Sequence, residues 1–156
     1  IKMQLTRTIN NELKKMAKEM QIAPRLLATT ILAISMDKNG KFIGVHLGDG
    51  CILWNINSSD RLQTVSSPQS GNTPNSTYLT MNCTLFYYLR FYRWTKPGAR
   101  RIILLSDGMN SLNVPLTSGI FSVQNQDLLN QKMINTRNFD DMSYVLCELD
   151  APCSRQ

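Results

Sequence analysis

The chain has 156 residues, 42% hydrophobic and 18% charged, with a net charge of +6. That length supports a domain of common size with a real core, and that composition excludes a disordered chain. No apolar run approaches the ~18 residues of a membrane span.

The N-terminal stretch is amphipathic and charged, without the apolar block of a signal peptide. The chain begins with Ile1 rather than Met, which points to a longer product. Among the four cysteines there is no Cys-x-x-Cys pair, and His46 is the one histidine, so a zinc site is not expected. Reduced thiols in a cytoplasmic setting are expected.

In chain order, Ile1 to Met20 carries apolar residues at Ile1, Leu5, Ile9, Leu13, Met16, Ala17 and Met20. Steps of three and four predict a helix laying one stripe on a core, with Pro24 as a stop. Leu26 to Met36 is apolar and β-branched, and reads as a central strand buried on both faces. Asp37 to Gly40 is a hairpin turn. Lys41–Leu47 and Cys51–Ile56 read as an antiparallel pair around Gly48-Asp49-Gly50.

Arg61 to Val65 reads as a short strand, and Ser66 to Ser76, with two prolines and a glycine, as a surface loop. Tyr78–Met81 and Leu85–Trp94 read as strands, and Lys96 to Ala99 as a turn. Arg90, Arg93, Lys96, Arg100 and Arg101 lie among aromatics. Such interleaving can serve nucleic acid, but a solvated basic face on an amphipathic strand is the better reading.

The stretch Arg101 to Asn110, RIILLSDGMN, is a buried strand running into a turn at Ser106-Asp107-Gly108. On its own Asp107 reads as a turn residue. One helical turn at Met109–Leu112, an irregular segment Val114–Ser122 and a helix over Val123–Ile134 follow. Asp140-Asp141 then opens a last strand, Met142–Leu149, before a polar tail. Helix, strands, helix and strand with hairpin-length connections predict an α+β fold, an antiparallel sheet system with helices on its outer faces. The whole span 1–156 reads as a single domain.

Four segments, in this order, resemble the type 2C metal-dependent serine/threonine protein phosphatases. They are ATTILAISM, GVHLGDGCILW, IILLSDGMNSL and FDDMSYVLCEL. The short Ser66–Ser76 loop resembles the compact bacterial members. The resemblance implies a β-sandwich of two antiparallel sheets flanked by helices, with two Mn²⁺ or Mg²⁺ ions at one end. It implies Asp107 and Asp140 as metal ligands. Asp49, Gly108 and Asp141 support them, Asp141 standing where many members carry Asn. Hard cations prefer carboxylate and water oxygens. Two ions ~3.5–4 Å apart can hold and acidify the water that attacks phosphorus. The implied activity is hydrolysis of phosphoserine and phosphothreonine in a phosphoprotein substrate.

The family's early acidic residue and its Asp-Gly-His-Gly segment have no counterpart here, and His46 does not match that motif. The expected chain is therefore the C-terminal portion of such a domain, without its N-terminal strands. Three origins stay open: its own N-terminal segment as a separate chain, a segment outside this sequence, or an inactive phosphatase-like regulatory or interaction module.

Overall fold

The structure is a computed structural model that describes residues 1–56, 62–71, 76–80, 85–95, 99–110, 116–117, 126–135 and 141–149. Helix α1 spans Lys2–Glu19. Of the stripe that its periodicity predicts, Leu5 and Ile9 turn inward, onto a cluster built on Leu47, Leu85 and Leu89, and Ala17 is buried, whereas Ile1, Met16 and Met20 are exposed. A residue at positive φ, Gln21, ends it, and a 3₁₀ turn at Pro24–Leu27 leads to the first strand.

Among the described residues, seven strands make two antiparallel sheets. They are β1 (Ile31–Met36), β2 (Phe42–Leu47), β3 (Cys51–Ile56), β4 (Gln63–Ser66), β5 (Arg90–Trp94), β6 (Ala99–Leu105) and β7 (Tyr144–Glu148). One sheet has the order β1-β2-β5, the other β4-β3-β6-β7. Further helical pieces include α2 (Leu85–Tyr88) and α3 (Gln126–Asn135).

The sheets face each other across a core of Phe42, Ile52, Trp54, Ala99 and Ile102. The outer face of the four-stranded sheet carries a second core, Cys51, Leu53, Leu62, Ile103, Leu105, Met109 and Leu116, against which Met133 of α3 packs. With α1 outside the other sheet, the order of layers is helix, sheet, sheet, helix. This is the α+β sandwich that the sequence predicts.

Several local readings change. Only Ile31–Met36 of the Leu26–Met36 run is a strand. Among the described residues it has one neighbour, β2, and it is half-buried rather than central. Leu26 is exposed because the 3₁₀ turn carries it outside the sheet. β3 is buried on both faces, as its neighbour β6 is in large part: Ile52 and Trp54 face the sandwich while Cys51 and Leu53 face the outer core.

Nor do β2 and β3 pair with each other. β2 pairs with β1 and β5, and β3 with β4 and β6. Gly48-Asp49-Gly50 therefore crosses from one sheet to the other instead of closing a hairpin.

The Leu85–Trp94 run divides into a helical turn and a strand. The segment from Tyr78 to Thr80 is not a strand: Tyr78 stacks on Tyr88 at 3.6 Å, and Thr80 exchanges hydrogen bonds with Thr29. Ile134 of α3 is exposed, so the apolar stripe read there faces the core only in part. The hairpin at Asp37 stands, its Oδ1 accepting from the backbone N–H groups of Asn39 and Lys41 at 2.8 and 2.9 Å. The readings at residues 61, 72–75, 81, 96–98, 111–115, 118–125 and the tail fall outside the described residues.

β3 carries the sandwich, so truncation there is expected to be costly. Leu53→Ala should lower the unfolding free energy by about 2–5 kcal/mol, measured by urea denaturation. Ile43→Ala, on the outer face of β2 and 42% exposed, should cost much less.

Candidate functional site

Two strand registers decide which residues meet. In the β3–β6 ladder Cys51 stands opposite Leu105. Carried two residues beyond the strands, antiparallel pairing sets Asp49 opposite Asp107. In the β6–β7 ladder Leu105 stands opposite Tyr144. The same extension sets Ser106 beside Ser143 and Gly108 beside Asp141.

Hydrogen bonds bear this out. The Ser106 N–H donates to the Ser143 carbonyl at 3.0 Å. The Ser143 N–H donates to Ser106 Oγ at 2.9 Å, and that hydroxyl donates to the Asp141 carbonyl at 3.3 Å. A Cβ on Gly108 would lie 2.6 Å from the Asp141 carbonyl oxygen, so glycine is what allows the close approach. On the other side, Asn110 Nδ2 donates to the Asp49 carbonyl at 3.3 Å.

Asp107 itself opens a 3₁₀ turn, Asp107–Met109, whose last residue is fully buried and anchors the turn. Its carboxylate is exposed, with Oδ1 accepting from the Gly108 N–H at 2.9 Å. Asp49 and Asp107 line one cleft of about 330 Å³, together with Thr30, Thr77, Ser106 and Ser143. The Asp141 side chain is exposed beside it, and Asp140 lies outside the described residues.

The donors that this cleft offers are oxygens, with no imidazole, amine or sulfur among its lining residues. Such a set fits a hard divalent cation. Among the described residues no group of three or more His, Cys, Asp or Glu gathers as a metal cluster, so they contribute two carboxylates. Cys51 starts the strand behind this end, fully buried, and burial pushes its thiol up to about 11. It is a core residue, not a nucleophile.

A polar cluster that the sequence does not reveal lies between the sheets next to this turn. His46 is fully buried. Its Nδ1 is 2.5 Å from Ser66 Oγ of β4 and 2.8 Å from Arg90 Nη2 of β5. Tyr92 donates to the same Ser66 oxygen at 2.8 Å, and Arg90 donates to the Ser67 carbonyl at 2.7 Å. Arg90 therefore turns inward, away from the solvated basic face expected for this run. Arg101 pairs with Glu148 across the β6–β7 ladder. The signal available was the alternation Arg90, Tyr92, Trp94, which puts the three on one face of a strand.

A family profile described as Protein phosphatase 2C matches residues 1–144. The fold is similar to a solved structure, the phosphatase domain of the cell fate determinant SpoIIE from Bacillus subtilis. The likeness covers 100% of this chain and 77% of that one, at 14% identity and a TM-score of 0.55. No curated protein matches the chain at a significant level.

Two outcomes are expected here. Gly108→Ala should destabilise the protein by about 1–3 kcal/mol, read by urea denaturation, because the Asp141 backbone must move. His46 is held down from 6.5 to about 4, first by burial and then by the Arg90 charge. The unfolded chain then takes up the proton more readily, so this stability is present above pH 6.5 and lost as pH falls towards 4. Denaturation midpoints across that window should drop more steeply for the wild type than for His46→Gln.

Proposed function

The chain belongs to the protein phosphatase 2C family, and from that premise we propose that it serves metal-dependent hydrolysis of phosphoserine and phosphothreonine esters in proteins. The observation that carries this reading is the convergence of the Gly48-Asp49-Gly50, Ser106-Asp107-Gly108 and Asp141-to-Ser143 segments on one cleft end of the sandwich.

In this reading Asp107 and Asp140 hold Mn²⁺ or Mg²⁺, two ions in the complete site. Asp49 stands across from Asp107, and Asp141 flanks it. Two carboxylates drawn to one cleft repel each other and attract a cation. Such ions, when bound, supply Lewis acidity and offset negative charge on the phosphoryl oxygens. Ser106 ties the Asp107 turn to Ser143, which fixes the spacing between two acidic segments. Thr77 Oγ1 is buried with no hydrogen-bond partner among the described residues and lines the cleft, so it can donate to a phosphoryl oxygen.

Water adds to phosphorus, the P–O ester bond breaks, and the serine or threonine oxygen leaves with a proton. The raised Cys51 thiol supports this direct route over a cysteinyl intermediate. The remaining ligands would come from an Asp-Gly-His-Gly segment that this sequence does not contain, carried either by a separate chain or by a part of the protein outside this sequence; the phosphoprotein is the other partner. The span 1–156 acts as one domain in this reading. A cytoplasmic setting belongs to it as well, supported by free thiols at Cys51 and Cys147. Among the described residues no helix is long and apolar enough to cross a membrane.

Isothermal titration with Mn²⁺ tests the assignment. Asp107→Ala and Asp140→Ala should each weaken binding by at least about tenfold. Equal binding by the wild type and both variants would defeat it.

A further inference from the structure

The apolar stripe of α1 and the side by which α1 is packed do not coincide. Ile1, Leu5, Ile9, Leu13, Met16 and Met20 fall within an arc of about 120° at about 3.6 residues per turn. The buried positions of the helix are instead Thr6 and Ala17. These lie roughly 80° round the helix from the centre of that arc. Both are small, and the Thr6 hydroxyl donates within its own helix, to the Lys2 carbonyl at 3.0 Å. The helix therefore sits on its narrow side and turns its apolar stripe sideways.

That turn leaves the stripe half used. Leu5, Ile9 and Leu13 are half-buried. Ile1, Met16 and Met20 are 75%, 46% and 56% exposed. Single exposed apolar side chains are ordinary. Here they lie at both ends of one flank, joined through the half-buried residues, and the flank runs the length of an 18-residue helix. Among the described residues nothing covers it. Methionines suit such a surface, because their flexible side chains adapt to a partner's shape.

Charge at the border says what kind of partner fits. Glu12 and Glu19 are exposed, seven residues apart, along the solvent edge of the flank. Acidic groups at that spacing beside an apolar seam select basic groups on a facing helix. Lys15 lies further round, and Arg7, Lys14 and Lys18 lie on the side away from the seam. Lys2 falls within the arc but is turned onto the Phe86 ring, its Nζ 5.1 Å from the centroid.

We infer that this flank of α1 is a docking seam for an amphipathic helix carried outside this sequence. That helix lays an apolar ridge along Ile1, Met16 and Met20 and sets basic side chains against Glu12 and Glu19. The seam is independent of the metal chemistry proposed above.

Fluorescence anisotropy with two labelled amphipathic peptides tests this. Both carry the same leucine seam; one has lysine and the other glutamate at the positions beside it. The lysine peptide should bind the chain at least about tenfold more tightly than the glutamate peptide. Glu12→Lys with Glu19→Lys should reverse that order. Met16→Gln with Met20→Gln should weaken the lysine peptide at least about tenfold. Met3→Gln, on the opposite flank and also exposed, should leave it unchanged. All the substituted positions are exposed, so urea denaturation midpoints should stay at the wild-type value.

Failure of either peptide to bind would overturn the inference, as would equal binding of the two. So would equal weakening by Met3→Gln and by the Met16/Met20 pair. Dimers of the chain alone in sedimentation velocity, dissolved by Met16→Gln with Met20→Gln, would overturn it in favour of a second copy on the same flank.

Discussion

Pairing between β3 and β6 is the constraint from which the rest of the molecule follows. Both strands are covered on both faces, by the sandwich core and by the outer core. A one-residue slip would exchange Leu53 with Trp54 and Ile102 with Ile103, moving a full row of side chains to the wrong layer. The register is thus held by burial. Because it is, the chain before β3 and the chain after β6 emerge together at one end, and the two acidic turns meet there. The cleft is a by-product of core packing, which explains why its charged residues need little structure of their own.

Legibility in the sequence follows from how local each signal is. α1 was readable because its inward side chains recur along one helix face. The Asp37 turn was readable because Asp37 bonds its own neighbours. Asp107 was recognisable as the end of an apolar strand. Sheet membership was not readable. Gly48-Asp49-Gly50 looks the same whether it closes a hairpin or crosses between sheets; only the pairing of β2 with β5 and of β3 with β6 separates these. The centrality of β1 was misjudged for a related reason. Its apolar composition serves the inner face only, while the edge position leaves it half-buried.

The polar cluster was invisible for a different reason. His46, Ser66, Arg90 and Tyr92 are up to 46 residues apart in sequence, and each has an ordinary local reading. Arg90 belongs to a basic run, and a basic run is usually solvated. An arginine can enter the sandwich here because the Ser67 carbonyl and the His46 ring accept its hydrogens. No single segment announces that arrangement.

The two ends of the sandwich are joined by different kinds of contact. At the cleft end, directional hydrogen bonds between Ser66 and His46 and from Tyr92 to Ser66 tie one sheet to the other. At the opposite end of β2, Phe42 meets Trp54 and Trp54 meets Trp94 edge to face, at 5.4 and 4.4 Å. Aromatic contacts tolerate sliding that hydrogen bonds do not. In mechanical terms the sheets are riveted at one end and greased at the other. Resistance to shear between the sheets is thus concentrated at the end where the acidic turns lie.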